Sequence, residues 1–224
     1  MEVIPNVYLI SGTVVNCYLI AEPDGLTLID TGLPSYESKI RKTITALGYT
    51  LQDLKNILLT HSDGDHVGSL AALKASSGAK VYASAIEAQA IEAGIPSRKG
   101  RLNWIGKILH FPISRFFKAA PCKVDHILTP GQDLPILERL WVVPTPGHTP
   151  GHISFYSAAA KILFAGDSVR SAYGKLICSS GKFTWNEKDA FDSMRLQEAM
   201  KPQTVCVGHG PVIRNAVMKF ESPA

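Results

Sequence analysis

Four of the seven histidines, His61, His66, His148 and His209, stand in polar turns directly after apolar runs, and Asp63, Asp65 and Asp167 occupy similar positions. His61, Asp63, Asp65 and His66 fall within six residues, so one compact turn can aim four side chains at a single point. That mixture is the chemistry of a metal centre: neutral imidazole suits zinc or iron, and carboxylates neutralise charge and can bridge two ions. A lone histidine is more often structural or exposed than a ligand, and the clustering is what reverses this expectation. The competing reading is an Asp-rich helix N-cap, for which Asp63 or Asp65 would be an ordinary choice. It accounts for one Asp and leaves the pair of histidines unexplained.

The elements that must position these residues follow from the apolar pattern. Residues 3–10 and 14–21 are β-rich runs split by Ser11-Gly12, and Leu26 to Ile29 ends in Asp30-Thr31-Gly32, a meander by its spacing. Ser35 to Leu47 has helical periodicity and stops at Gly48. Asn56 to Thr60 reads as a short buried strand running into the ligand cluster, with a helix over Val67 to Lys74 after it. A strand at Ala79–Ala83 precedes a helix at Ala85–Ala93, where Ser84 and Glu87 have the spacing of a capping box. Further strands are predicted at Val124–Leu128, Leu140–Pro144, Ile153–Tyr156, Lys161–Ala165 and Thr204–Val207, with a helix over Lys188–Ala199. Strands and helices thus alternate in two similar halves, an α/β pattern of two packed sheets with helices outside. The length of 224 residues fits a single domain over 1–224, with an insertion at about 95–120.

The ordered motifs Thr60-His61-Ser62-Asp63-Gly64-Asp65-His66, Thr145-Pro146-Gly147-His148-Thr149-Pro150-Gly151-His152, Gly166-Asp167-Ser168 and Gly208-His209-Gly210 resemble those of the metallo-β-lactamase superfamily, in its glyoxalase II-like and lactonase-like branches. Asp30-Thr31-Gly32 matches an earlier family element, so the resemblance runs from about residue 3 to residue 212. It implies an αβ/βα four-layer sandwich, two mixed β-sheets flanked by helices, with metals at the edge between the sheets. Carried over by position, His61, Asp63 and His148 would hold one ion, Asp65, His66 and His209 the other, and Asp167 would bridge. One position departs: the common motif has a second His where this chain has Asp63. A carboxylate there gives a harder donor, more tolerant of iron or manganese beside the zinc that the family usually takes.

The resemblance implies a metal-dependent hydrolase in which a hydroxide shared by two divalent ions attacks an ester, thioester, lactone or related carbonyl. Asp65 would orient that hydroxide and carry its proton. Asp30 and His152 are candidates for orienting the ligands rather than binding metal. Asp63 also resembles the diiron redox branch of the superfamily, although no flavin-binding domain follows. A phosphodiesterase and a non-enzymatic sensor are further alternatives.

A net charge of +4 is too small to indicate a nucleic-acid partner by itself. The charge is concentrated: Arg98, Lys99, Arg101, Lys107, Arg115 and Lys118 lie between Ile95 and Ala120 with no acidic residue among them. Trp104, Ile105, Ile108 and Leu109 there form an apolar helical stripe, and Phe116 follows Pro112. Three readings stay open for this segment: core packing, a lid whose Trp104, Ile108 and Phe116 line a pocket for an apolar or anionic acyl substrate, and a membrane-surface or homodimer contact. Cys17, Cys122, Cys178 and Cys206 are scattered without ligand or disulfide spacing and read as buried thiols of a reducing compartment. With no signal sequence and no transmembrane run recognisable, a cytoplasmic location is expected.

Overall fold

In the computed structural model, which describes residues 1–12, 14–98 and 119–221, the apolar runs of the first half form one mixed sheet and those of the second half another. Seven strands lie side by side in chain order in the first sheet: β1 (Glu2–Ile4), β2 (Val7–Ser11), β3 (Asn16–Glu22), β4 (Gly25–Ile29), β5 (Leu54–Leu58), β6 (Lys80–Ser84) and β7 (His126–Leu128). From β1 to β4 the pairing is antiparallel, and from β4 to β7 it is parallel. Parallel neighbours need crossover connections. These contain α1 (Glu37–Ala46) between β4 and β5, α2 (Gly64–Val67) with α3 (Leu70–Ser77) between β5 and β6, and α4 (Ala85–Ala93) after β6.

The second half supplies β8 (Asp133–Leu134), β9 (Leu140–Pro144), β10 (Ile153–Ser157), β11 (Ile162–Gly166), the hairpin β12 (Val169–Ala172) and β13 (Lys175–Cys178), then α5 (Glu187–Ala199), β14 (Thr204–Val207), β15 (Ile213–Arg214) and β16 (Phe220–Glu221). Six of these strands form the second sheet in the order β15-β14-β11-β10-β9-β8, and only β11 and β14 run parallel.

The layers follow from the two-residue period of the strands. In β3, Cys17, Leu19 and Ala21 pack with Ile40 and Ile44 of α1, Leu70 and Leu73 of α3, and Ile91 of α4. Tyr18 and Ile20, on the opposite face, meet Val142, Ile153, Phe155 and Phe164 of the second sheet. Leu163 and Ala165 of β11 then turn outward onto Ala190 and Met194 of α5. The stack is helices, sheet, sheet, helix, which is the αβ/βα sandwich. Phe155 and Phe164 are fully buried at its centre, each worth roughly 1.5–3 kcal/mol of burial. All four cysteines are buried and free, and among the described residues no helix is long and apolar enough to cross a membrane.

Three details differ from the sequence reading. The run over 3–10 is two strands, divided at Pro5-Asn6, where Asn6 has φ +64°. The helix after the ligand cluster starts at Gly64 and breaks at Gly68-Ser69 into α2 and α3. A third, small sheet of β12, β13 and β16 was not anticipated.

Candidate metal centre

Because β4 and β5 run parallel, as do β11 and β14, their carboxyl ends lie together at one edge of the sandwich. Asp30 follows β4, Thr60 and His61 follow β5, Asp167 follows β11, and His209 lies just beyond β14. His148 and His152 sit on the β9–β10 connection. Hydrogen bonds clamp the two sheets here: Asn16 Nδ2 donates to the carbonyls of Val207 (3.1 Å) and Gly210 (2.7 Å), Tyr18 Oη to Val207 (2.7 Å), and Ile153 N–H to Thr60 (3.0 Å). Gly208 leaves room for this packing, since a Cβ there would collide with Asp167 Oδ1.

All seven predicted donors are brought together at this edge. His61, Asp63 and His148 form one corner, with Asp63 Oδ2 3.6 Å from His61 Nε2 and 3.2 Å from His148 Nε2. Asp65, His66 and His209 form another, with Asp65 Oδ2 3.4 Å from His209 Nε2. Asp167 reaches both corners: its Oδ2 is 3.5 Å from His148 Nε2 and 3.1 Å from His209 Nε2, and its Oδ1 is 3.3 Å from His66 Nε2. Asp63 occupies the N-cap position of α2 without making a side-chain cap bond. The capping alternative therefore does not explain it.

The hydrogen bonds around the four imidazoles turn every Nε2 inward. His66 Nδ1–H donates to Asp30 Oδ2 (2.8 Å) and His209 Nδ1–H to the carbonyl of Val14 (2.7 Å). The Thr60 hydroxyl gives its own proton to Asp30 (2.8 Å), so it accepts from His61 Nδ1 (2.9 Å). His148 Nδ1 contacts Ser179 Oγ at 3.0 Å. Fixing Nδ1 in this way selects the tautomer whose Nε2 lone pair can bind a cation. Among the described residues, His61 Nε2, Asp63 Oδ1, His66 Nε2 and Asp167 Oδ1 are buried without a hydrogen-bond partner. Buried polar atoms are rarely left so. A cation is the group this donor set fits.

Mutual neutralisation governs the electrostatics without an ion. Burial pushes the Asp167 carboxyl up, but His66 and His209 hold it well below the usual carboxylate range. Burial likewise opposes charging of His66, yet Asp167 and Asp30 raise it well above an ordinary imidazole. His209 rises to about 10, its hydrogen bonds to Asp167 and Asp65 overcoming burial. A bound dication would replace the protons these histidines take up.

Asp30 and His152, the two residues expected to orient ligands, both lie beside the cluster. Asp30, with φ +57°, accepts from Thr60 N–H (2.9 Å), Thr60 Oγ1 and His66 Nδ1. His152 Nε2 accepts the backbone N–H of Asp167 (3.0 Å), while its Nδ1 meets Thr145 Oγ1 (2.8 Å). Burial, then the nearby His61 and His148, keep His152 well below the ordinary imidazole value, as an accepting nitrogen requires. Trp104, Ile108 and Phe116 lie outside the described residues, as does the basic segment from Lys99 to Lys118.

Two residues at the centre were not assigned to it from sequence. Glu87 has the spacing of a capping box, and Ser84 does accept its N–H at 3.4 Å. Its side chain, however, points to the site. Glu87 Oε2 accepts from Ser62 N–H (2.9 Å), and Oε1 accepts from Thr149 Oγ1 (2.7 Å), Ser97 Oγ (2.8 Å) and Gly151 N–H (3.0 Å). One buried carboxylate thus ties the His61–Asp63 turn to the His148 loop. The other is Arg98, whose guanidinium lies 2.6 Å from Asp63 Oδ2. Glu87→Ala should cost about 3 kcal/mol of stability and loosen metal binding about tenfold, because it strands several buried donors and frees both loops. Denaturant unfolding with metal titration checks this, and an unchanged midpoint and affinity would remove Glu87 from the assembly.

Comparison with known proteins agrees with this architecture. Residues 10–209 match the family described as the metallo-beta-lactamase superfamily. The uncharacterized protein YobT of Bacillus subtilis (strain 168) is 34% identical over 90% of this chain and 85% of its own length. A hydroxyacylglutathione hydrolase of Rhodobacter capsulatus is 30% identical over 70% of this chain, which spans about half, 48%, of that relative. Among solved structures, a metallo-beta-lactamase family protein of Thermus thermophilus superposes with a TM-score of 0.77 at 24% identity, covering 97% of this chain and 78% of that one. This last likeness concerns the fold alone.

Proposed function

We propose, from the premise that the chain belongs to the metallo-beta-lactamase superfamily and is a metal-dependent hydrolase, that it cleaves an ester, thioester or lactone of a small acyl substrate. The observation that carries this reading is the convergence of four inward Nε2 atoms on three buried or part-buried carboxylates, with four buried donor atoms left unpartnered. The donor set comprises three triads, of which His61–Asp63–His148 and Asp65–His66–His209 share no residue while His61–His66–Asp167 links them, so we assign it a pair of divalent ions, zinc first, with iron or manganese also accommodated by the oxygen-rich corner of Asp63. Divalent ions held there would supply a hydroxide nucleophile near neutral pH and polarise a carbonyl. The relative named for hydrolysing hydroxyacylglutathione supports an acyl bond as the target. Trp185 N–H donates to the His148 carbonyl (3.1 Å), which places the segment bearing Phe183 and Trp185 beside the His148 loop. Four buried free thiols support action in a reducing compartment, the cytoplasm.

Among the three carboxylates, Asp65 has the most exposed side chain, at 16% against 10% for Asp63 and 9% for Asp167. Burial raises its pKa, but the His209 hydrogen bond and nearby His66 bring it below the ordinary value. It is therefore ionised at neutral pH and, on the open side of the centre, able to accept a proton from attacking water and return it to the leaving group. Asp65→Asn keeps the shape and removes the base. At saturating metal it should lower kcat about 10²- to 10⁴-fold on whichever ester, thioester or lactone is turned over. The test is a hydrolysis screen with each of zinc, iron and manganese, repeated on the variant. An absence of turnover with every metal, or an undiminished kcat in the variant, would overturn the assignment. Asp63 favours a second reading, a diiron redox protein, which stoichiometric iron with an oxygen-sensitive optical band would select.

A further inference from the structure

The two corners of the centre differ in what surrounds them. At the His61–Asp63–His148 corner, Arg98 enters with a side chain only 15% exposed. Its guanidinium donates to Asp63 Oδ2 at 2.6 Å, approaches His148 Nε2 at 2.8 Å and donates to the Phe183 carbonyl at 2.7 Å. This placement is fixed from behind. Ser97 N–H donates to Ser62 Oγ (2.9 Å) and Ser97 Oγ to Glu87 Oε1 (2.8 Å), which ties the backbone next to Arg98 to the turn bearing His61 and Asp63. Among the described residues, no Lys or Arg pairs with Asp65 or Asp167 at the other corner, where two carboxylates face only imidazoles.

We propose that Arg98 is the resident cation of the His61–Asp63–His148 corner, so that the two corners load unequally. The first ion enters at Asp65, His66, Asp167 and His209, and a second enters only as the guanidinium is displaced from Asp63 and His148. Charge explains the arrangement. Asp63 is an anion placed between two imidazoles, and a permanently charged, planar guanidinium offers it strong, directed hydrogen bonds. An incoming dication must compete with that charge for Asp63 Oδ2 and for the His148 lone pair. Asp63 Oδ1 remains buried and unpartnered, so the corner keeps one donor atom that Arg98 does not use. The inference rests on reading these residues as metal donors and not on the bond that is cleaved.

The experiment is equilibrium dialysis and calorimetric titration of the metal-stripped protein with zinc ion alone, comparing wild type, Arg98→Ala and Arg98→Lys. Wild type should bind one ion at least about tenfold more tightly than the second, and Arg98→Ala should tighten the second by about tenfold or more while leaving the first within about threefold. Arg98→Lys, which keeps the charge but loses the fork, should fall between them. Two ions of equal affinity in wild type would overturn the inference, as would a second affinity that Arg98→Ala leaves unchanged or weakens. If hydrolysis fails in every screen but the affinities separate as stated, the inference stands and the proposed reaction falls. If no variant takes up zinc, the donor assignment falls and the inference with it.

Discussion

Asp167→Ala will leave the protein nearly free of metal and its hydrolysis at least about a thousandfold reduced, since it removes the one described carboxylate that touches both corners. Its Oδ2 is within 3.5 Å of both His148 and His209, and its Oδ1 is 3.3 Å from His66, so this one side chain links histidines of the two corners. Loss of a group that merely orients a ligand costs about 10- to 100-fold in metal affinity, and loss of a shared donor must exceed that. The variant has a second signature that needs no metal. His209 stands at about 10 after burial is overcome by its bonds to Asp167 and Asp65. Removing Asp167 should bring it down toward the ordinary imidazole range, which NMR titration of the metal-stripped protein reads directly. Full metal content in Asp167→Ala would sink the assignment of the centre, and an unmoved His209 would show that the two side chains do not meet.

How much of this was legible beforehand depended on whether a feature is local. The ligand turns were legible because each is a short polar motif immediately after an apolar strand: His61 to His66 after β5, His148 after β9, Asp167 after β11 and His209 after β14. The two sheets were legible from the same runs, although the order of layers was implied by the family resemblance. In β3 every residue from Asn16 to Ala21 is buried, so alternation could not say which side meets helices and which meets the other sheet. The hairpin of β12 and β13 escaped because its strands are short. Its turn uses Tyr173 at φ +52° and Gly174 at φ +75°, the left-handed pair that a two-residue hairpin needs, and Tyr is an uncommon occupant of such a position.

Glu87 and Arg98 escaped for a different reason. Each already had a sufficient local explanation, a capping box for one and a basic run for the other. What gives them their place is distance in sequence: Glu87 meets Thr149 across 62 residues, and Arg98 meets His148 across 50. One reading of the basic run has its side chains attract an anionic acyl group from above the site. Arg98, at the start of that run, has a specific partner in the Asp63 carboxylate. Asp63 is the residue by which this chain departs from the common motif, so an unusual anion and its counter-cation belong together.

Asp30 admits two explanations that substitution can separate. Its φ of +57° marks a turn position that Asp and Asn tolerate better than most residues. Its carboxylate also accepts Thr60 N–H, Thr60 Oγ1 and His66 Nδ1 while almost fully buried. If the turn were its whole role, Asp30→Asn would be nearly silent, because the carboxamide suits the same backbone and still offers one acceptor. If it sets His66, the carboxamide nitrogen would face the donors of Thr60 and His66, and the anion that holds His66 Nδ1 protonated would be gone. Both Asp30→Asn and Asp30→Ala are then expected to weaken metal binding about 10- to 100-fold, with Asp30→Ala also costing about 3 kcal/mol of stability by stranding buried donors. Metal competition with a chelator measures the first effect and denaturant unfolding of the metal-free protein the second. Wild-type metal affinity in Asp30→Asn would reduce Asp30 to a turn residue and leave the tautomer of His66 to be set by Asp167 alone.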